Sequence, residues 1–88
     1  MIVKYRKSFI VDLGKIKSIK KIQEVEFILE FANQATVPEK IPGFKALRQY
    51  PSLARIEIAP FRIGVEINGA TIIFKRILPR SVFYTQFP

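Results

Sequence analysis

The order of hydrophobic and polar positions divides the chain into a helical first half and a strand-rich second half. Residues 1–5 are β-prone and predict a strand, and residues 7–16 place apolar side chains at helical spacing. Ser18 is a favourable N-cap for a second, longer helix. Its apolar positions recur every three or four residues, at Ile22, Val25, Leu29 and Ala32. Prolines and a glycine within residues 33–43 then predict a loop.

The second half alternates with a period of two, which is typical of strands with one buried and one polar face. In residues 54–58, apolar side chains alternate with Arg55 and Glu57, and Pro60 ends this strand. Residues 61–67 alternate again and predict the next strand.

Asn68 and Gly69 supply the two-residue turn typical of a type I′ hairpin, leading into a strand over residues 70–78. With these two residues as the loop, Arg62 lies opposite Lys75 across the ladder. The apolar side of the sheet needs cover, which the two helices provide, so the predicted class is α+β. The other side gathers polar residues from three strands into one surface: Arg55, Glu57, Arg62 and Lys75.

Length and composition narrow the chemistry. With 88 residues, we expect a single domain over residues 1–88 with one thin core. The chain has no cysteine and no histidine, which removes disulfides, Cys nucleophiles, His-based acid–base chemistry and nearly all transition-metal sites. We therefore expect no metal and no cofactor. The apolar stretches are too short to cross a bilayer and no signal-peptide core is apparent, so we expect a cytoplasmic protein.

The formal net charge of +8 indicates a polyanionic or acidic partner, with nucleic acid as the leading candidate. Arginines and lysines clustered on neighbouring strands suit phosphate binding. The alternative is a merely basic surface, in which Glu57 and Glu66 neutralise these cations as ordinary ion pairs worth under about 1 kcal/mol each.

RNA cleavage needs a base for the 2′-hydroxyl proton and fixed cations around the phosphate, but neither metal nor histidine. Tyr84 and Glu57 are the two candidate bases. Arg55, Arg62 and Arg80 stay protonated, so they would act as electrostatic stabilisers. Two phenylalanines four residues apart, Phe83 and Phe87, are predicted to pack a short terminal helix onto the core. For Tyr84, three roles stay possible: catalysis, stacking on a base, and packing against the core.

Several segments together resemble the RelE/ParE superfamily of toxins from type II toxin–antitoxin systems. The match runs over nearly the whole chain, in order, through residues 5–13 (Tyr-Arg-Lys-Ser-Phe, then Asp-Leu), Ile41-Pro42-Gly43-Phe44-Lys45-Ala46-Leu47, Arg55-Ile56, Phe61-Arg62-Ile63-Gly64-Val65-Glu66-Ile67, Arg80, Tyr84 and Phe87-Pro88. The resemblance implies an N-terminal strand, a helical hairpin, about three further strands in an antiparallel-rich sheet and a short C-terminal helix.

The resemblance also implies a function. Its RelE branch consists of bacterial, metal-independent mRNA endonucleases that act on the ribosome and inhibit translation. It implies a cognate antitoxin that covers the basic face, and a toxin–antitoxin complex that binds operator DNA. Carried over by position, Arg55, Arg62, Arg80 and Tyr84 match active-site residues. Lys45 and Arg48 match RNA contacts, and Lys75 is assigned to RNA binding with them.

Three positions depart from the family pattern. Glu57 stands where relatives commonly carry a cation, and Pro60 and Pro79 replace a usual aspartate and histidine. Proline cannot titrate, and its fixed φ changes how Arg80 is presented. One alternative is therefore a degenerate relative that only binds RNA or antitoxin. Another is a gyrase inhibitor of the ParE branch, although retention of Arg62, Arg80 and Tyr84 favours RelE. A nucleic-acid-binding module outside the superfamily is the last alternative.

Overall fold

A computed structural model describes residues 1–88 as an α+β fold with one mixed sheet, as predicted. The helices are α1 (Lys7–Leu13), α2 (Ile19–Gln34) and α3 (Phe83–Gln86), with a single 3₁₀ turn at Pro38–Lys40. The strands are β1 (Ile2–Tyr5), β2 (Phe44–Leu47), β3 (Tyr50–Ile58), β4 (Phe61–Asn68) and β5 (Thr71–Pro79). Their order in the sheet is β1-β5-β4-β3-β2, with β1 parallel to β5 and the other neighbours antiparallel.

The two predicted helices form with small changes in their bounds. Ser18 is the N-cap of α2, as predicted, and its side-chain oxygen accepts a hydrogen bond from the Lys21 amide at 3.2 Å. α1 is shorter than predicted and ends before Gly14, its C-cap residue. Neither helix, nor α3, is long and apolar enough to cross a membrane.

β2 was missed, since no strand was predicted between the loop over residues 33–43 and the strand over residues 54–58. This strand has only four residues and pairs with β3 at the edge of the sheet. Gly43 leads into it with φ 81, and a Cβ there would lie 2.8 Å from the carbonyl oxygen of Glu57. A glycine is needed at this position both for its backbone conformation and for the close approach of β3. The sheet therefore has four strands after the helices, where about three were expected.

The register predicted for the β4–β5 hairpin was wrong. Its turn residues are Gly69 and Ala70, because Asn68 still pairs with Thr71. Gly69 has φ 59 and no non-glycine residue has positive φ, which excludes the predicted type I′ turn.

A register shift between Gly64 and Val65 then adds an extra residue to β5. Beyond this bulge the partner of Arg62 is Leu78 and not Lys75. The bulge also reverses which β5 side chains face each side of the sheet, which brings Leu78 beside Arg62.

The two faces of the sheet are covered differently. The helix face, named for the two helices that pack on it, belongs to a cluster of 13 buried apolar residues that includes Phe9, Val25, Ile56 and Phe74. The opposite side, the outer face, carries a smaller cluster of Leu78, Phe83 and Phe87 beside the polar residues. Phe83 and Phe87 do pack α3 onto the sheet, as predicted, but on the outer face. The outer face is therefore only partly open.

Candidate nucleic-acid interface

Glu57 lies at the centre of a cluster of three arginines on the outer face. Its Oε1 atom accepts hydrogen bonds from Arg62 Nε at 2.8 Å and from Arg55 Nη1 at 3.0 Å. Arg62 is the direct cross-strand partner of Glu57, and Arg55 lies two residues before Glu57 on β3, so strand geometry places all three on one face. Arg80 Nε approaches Oε2 to 2.8 Å from the end of β5. We call these four residues the arginine cluster.

The two carboxylate oxygens of Glu57 have different surroundings. Oε1 accepts two hydrogen bonds, whereas Oε2 is buried and has no hydrogen-bond partner. Arg80 pairs with Oε2 by charge and distance, but its N–H is not directed at that oxygen. A buried acceptor without a donor is uncommon and is disfavoured by desolvation. Oε2 is therefore held by the charge of Arg80 and not by a directed hydrogen bond.

Electrostatics keep Glu57 ionised. Burial of the carboxyl raises its pKa, but the hydrogen bond from Arg62 and the three guanidinium charges outweigh burial and hold the pKa below its ordinary value of 4.5. Arg55 and Arg62 are each 19% exposed, so solvent screens their pairs with Glu57 only in part. At neutral pH the cluster carries three positive charges and one negative charge.

Pro60 and Pro79 do not draw Arg80 away from the cluster. Pro79 pairs with Phe61 at the end of the β4–β5 ladder, and the Arg80 amide donates to the Pro60 carbonyl at 2.9 Å. The turn between β3 and β4 thus fixes the backbone of Arg80 just beyond the last strand. Its side chain is 50% exposed and is the most accessible guanidinium of the three.

Tyr84 joins the arginine cluster from α3. The guanidinium carbon of Arg62 lies 5.5 Å from the centre of the Tyr84 ring, within the range of a cation–π contact. The ring also meets Phe83 edge-on, with centroids 5.1 Å apart, and Phe83 is fully buried. Tyr84 itself is 57% exposed, so packing holds its backbone while leaving much of its side chain open to a ligand.

Gly64 allows α3 to lie against the sheet. A Cβ at this position would lie 2.6 Å from atoms of the Phe87 ring, so only glycine lets that ring approach the strand so closely. The rings of Phe83, at the start of α3, and Phe87, just after its end, lie 5.2 Å apart at an angle of 38°. The position of Tyr84 therefore depends on a glycine in β4.

The three predicted RNA contacts fall in different places. Lys45 is the cross-strand partner of Arg55, which puts it on the same face as the arginine cluster. Arg48 lies in the turn between β2 and β3 and lines a cleft that Tyr84 also lines. Lys75, at the β5 bulge, instead pairs with Glu66, with Nζ and Oε1 3.3 Å apart. The predicted position of Lys75 opposite Arg62 was therefore wrong.

Sequence reasoning missed a second ion pair. Arg76 holds Asp12 through two contacts, Nε to Oδ2 at 2.6 Å and Nη2 to Oδ1 at 3.1 Å. The Ile77 amide also donates to Asp12 Oδ2, and Arg76 reaches Gln86 at 3.3 Å. Hydrogen bonding to Asp12 raises the pKa of Arg76. One signal was available: Asp12 falls three residues after Phe9, on the buried side of α1.

This arrangement can bind a phosphodiester. Guanidinium groups form paired, charge-assisted hydrogen bonds with phosphate oxygens, and three of them around one point hold more than one oxygen. The Glu57 carboxylate now occupies that point. An exposed aromatic ring beside the cations adds a surface on which a base can stack.

The fold places the chain in a class of small α+β toxins. It resembles a chain in the crystal structure of the RelB–RelE antitoxin–toxin complex from Methanococcus jannaschii, with a TM-score of 0.83, 29% identity and coverage of 97% of this chain and 99% of that chain. The RelE–RelB complex from Pyrococcus horikoshii gives a TM-score of 0.74 at 17% identity, over 90% of this chain and 93% of the other, and supports the fold alone.

A curated relative narrows the class to a family. Toxin RelE3 of Methanocaldococcus jannaschii is 33% identical over 88 residues, the full length of both chains. The chain therefore belongs to the RelE family of toxins from toxin–antitoxin systems. No family model matches the chain. Because these relatives are archaeal, a bacterial source stays a prediction.

Proposed function

We propose that this toxin is a ribosome-dependent mRNA endonuclease that works without a metal. The observation that carries the proposal is the convergence of Arg55, Arg62 and Arg80 on one point of the outer face, with Tyr84 against Arg62. Fixed cations around a reacting phosphate are the main requirement of phosphodiester cleavage. The net charge of +8 supports attraction to RNA.

Each residue has a proposed role. Arg62 and Arg80 hold the scissile phosphate and stabilise the negative charge that builds on it during attack by the 2′-hydroxyl. Arg55 anchors the same backbone from β3, and Lys45 beside it extends the RNA contact. Tyr84 takes the 2′-hydroxyl proton or stacks on a base. A Tyr84→Phe variant separates these two roles, because it keeps the ring and removes the hydroxyl.

Glu57 has two proposed roles, an ion-pair role that involves Oε1 and a general-base role that involves Oε2. Oε1 is held by Arg55 and Arg62 as an ion pair, which the incoming phosphate must displace. Oε2 pairs with Arg80 by charge, and in the base role it takes the 2′-hydroxyl proton once Arg80 has moved onto the phosphate. The lowered pKa of Glu57 keeps it ionised but makes it a weaker base, since a good general base has a pKa near the working pH.

The proposal includes macromolecular partners. The structural relatives are toxin–antitoxin complexes, so a cognate antitoxin that covers the outer face is the expected protein partner. The ribosome and its mRNA are the expected targets, which places the action in the cytoplasm of a prokaryotic cell. Operator DNA is the expected ligand of the toxin–antitoxin complex, in keeping with the basic charge.

Induced expression without antitoxin tests the proposal. Growth and the 5′ ends of cellular mRNA are followed for the unaltered chain, for an Arg62→Ala, Tyr84→Ala double variant and for Lys17→Ala. Lys17 is exposed and outside the cluster, so its variant controls for the loss of one positive charge. Growth arrest with new ends inside translated codons, lost only in the double variant, supports the proposal.

The second candidate function is RNA binding without cleavage. Glu57 favours it, because a carboxylate already occupies the point on which the arginines converge. Unimpaired growth and intact mRNA, with the folded toxin present, would support this function and overturn the nuclease. DNA damage without mRNA cleavage would instead support gyrase inhibition, for which no contact in the structure argues.

A further inference from the structure

A cleft of about 250 Å³ lies between the β2–β3 turn and the C-terminal segment, outside the arginine cluster. Two tyrosines and an arginine are among the residues that line it. The lining residues are Leu47, Arg48, Gln49, Tyr50, Tyr84 and Pro88. The cleft has about eight times the roughly 30 Å³ that one water molecule occupies in the liquid, so a flat heterocyclic ring can enter it.

Two tyrosines give this cleft its chemistry. Tyr50 is 44% exposed and Tyr84 is 57% exposed, and neither belongs to the buried clusters of either face. Rings that stay open in this way contribute little to the core, while their faces remain available to a ligand. Arg48 adds a planar cation to the same cleft, and guanidinium planes also stack on bases.

The cleft and the arginine cluster share a wall. Tyr84 lines the cleft and lies 5.5 Å from the guanidinium carbon of Arg62, whose Nε is 2.8 Å from Glu57. A ligand that places a phosphate among the arginines therefore has the neighbouring cleft within reach. In single-stranded RNA a base lies next to every phosphate, and aromatic side chains bind such bases by stacking.

We propose that this cleft is a nucleobase subsite, in which Tyr50 stacks on the base of a nucleotide adjoining the phosphate held by the arginine cluster. That the ligand is RNA rests on the proposed function. The subsite adds Tyr50 and Arg48, both of which line the cleft, to the RNA-binding surface. Tyr84 forms the wall between base and phosphate. The pair of tyrosines selects for single strands, because a base within a duplex is stacked on its neighbours and does not offer its faces to a protein ring.

Binding of a trinucleotide tests the subsite without any need for cleavage. The full chain is titrated by NMR with the trimer ApApA and with an abasic trimer of the same sugar–phosphate backbone, at one fixed salt concentration. The variants are Tyr50→Ala, Tyr50→Phe and Phe27→Ala. Phe27 is a matched control, because its ring is 59% exposed and lies on α2, away from the cleft.

If the cleft binds a base, removing the Tyr50 ring should lower affinity only for the trimer that carries bases. Tyr50→Ala should weaken the binding of ApApA by at least about fivefold, which is the lower end of the range for loss of one aromatic stack. Its binding of the abasic trimer should not change. Tyr50→Phe and Phe27→Ala bind both trimers like the unaltered chain. In the unaltered chain the Tyr50 ring resonances shift with ApApA only, a result that does not depend on whether the alanine variant folds.

Other results would overturn the subsite. Equal binding of ApApA by Tyr50→Ala and the unaltered chain would do so, as would an equal loss for the abasic trimer. Binding of neither trimer by the folded, unaltered chain would overturn the subsite as well. Base-dependent binding through Tyr50 in a chain that leaves cellular mRNA intact would keep the subsite while the nuclease proposal fails.

Discussion

The two faces of the sheet are built from the same strands but are held together in different ways. The helix face buries 13 apolar residues in a continuous cluster under α1 and α2. The outer face buries three, under the four-residue helix α3, and leaves its other side chains to ion pairs around Glu57. If the proposed function is right, the difference assigns stability to the helix face and ligand binding to the outer face. Changes to the helix face should unfold the protein, and changes to the outer face should mainly alter what it binds.

The largest expected change in the free energy of unfolding comes from a substitution on the helix face. Phe74 is fully buried and its ring lies 5.5 Å from that of Phe9. Phe74→Ala should lower the free energy of unfolding by about 3–5 kcal/mol, since it removes a large side chain from a packed core. Phe27→Ala, which removes an exposed ring, should change it by less than about 1 kcal/mol. Urea denaturation measures both, and equal losses would contradict the division between buried and exposed rings.

The ion pair between Arg76 and Asp12 should come next. Asp12 is 5% exposed, so Arg76→Met leaves a buried carboxylate with only the Ile77 amide as its donor. The expected loss in unfolding free energy is about 2–3 kcal/mol, below the range for fully buried pairs because Arg76 is partly exposed. Lys21→Met breaks the more exposed ion pair with Glu24 and should lower the free energy of unfolding by under about 0.5 kcal/mol. Comparable losses in the two variants would show that burial of Asp12 does not matter.

Gly64→Ala should give a smaller loss, concentrated at the C-terminal segment. The added methyl meets the Phe87 ring at 2.6 Å and forces it away from β4. We expect a loss of about 1–2 kcal/mol from overpacking, together with NMR shift changes at Tyr84 and at Arg62. Gly14→Ala is the matched control, because its φ is −64 and a Cβ there makes ordinary contacts at 3.5 Å. Unchanged Tyr84 signals in Gly64→Ala would disprove the dependence of Tyr84 on this glycine.

The smallest stability effect should come from the outer face. Glu57→Gln removes one negative charge from three partly exposed ion pairs and should lower the unfolding free energy by about 1 kcal/mol at pH 7. Because folding lowers the pKa of Glu57, this contribution is complete above about pH 4.5 and is lost as the pH falls through the lower folded-state pKa. The two proteins should therefore converge in stability as the pH falls below 4.5 and passes the folded-state pKa of Glu57.

Anion binding provides the functional half of this comparison. With Glu57 neutral, phosphate no longer competes with a carboxylate, so Glu57→Gln should bind the ApApA trimer more tightly at pH 7. If Glu57 is also the base, the same variant should lose mRNA cleavage while gaining affinity. Weaker trimer binding in Glu57→Gln would contradict the view that its carboxylate occupies the phosphate position.

Much of the fold could be predicted because its signals are local. Period-two alternation identified β3 and the face shared by Arg55 and Glu57, and Ser18 identified the start of α2. β2 was missed because a four-residue edge strand has too few positions to show a period. The bulge in β5 was missed because the register of the turn was extended along the whole hairpin, although a glycine within a strand, here Gly64, often marks a bulge. This bulge decided which side chains join Arg62.

The candidate site was predictable only in part because its contacts are distant in sequence. Alternation brought Arg55, Glu57 and Arg62 together, since all three lie on adjacent strands. Arg80 reaches Glu57 only because the turn at Pro60 holds its backbone, which the residue type alone does not reveal. The pairing of Arg76 with Asp12 spans 64 residues: the place of Asp12 on the buried side of α1 indicates that it needs a partner, but the sequence alone does not identify Arg76 as that partner.

Cleavage of ribosome-bound mRNA by the purified toxin tests the central claim most directly. Ribosomes carrying a defined mRNA with a vacant A site are mixed with the unaltered chain, Arg62→Ala or Lys17→Ala, beside free mRNA, and the RNA ends are mapped. We predict cuts in the A-site codon on ribosomes only, equal in Lys17→Ala and at least about 100-fold slower in Arg62→Ala. Intact ribosome-bound mRNA with the folded, unaltered chain, or equal cutting by Arg62→Ala, would contradict the assignment of the arginine cluster to catalysis.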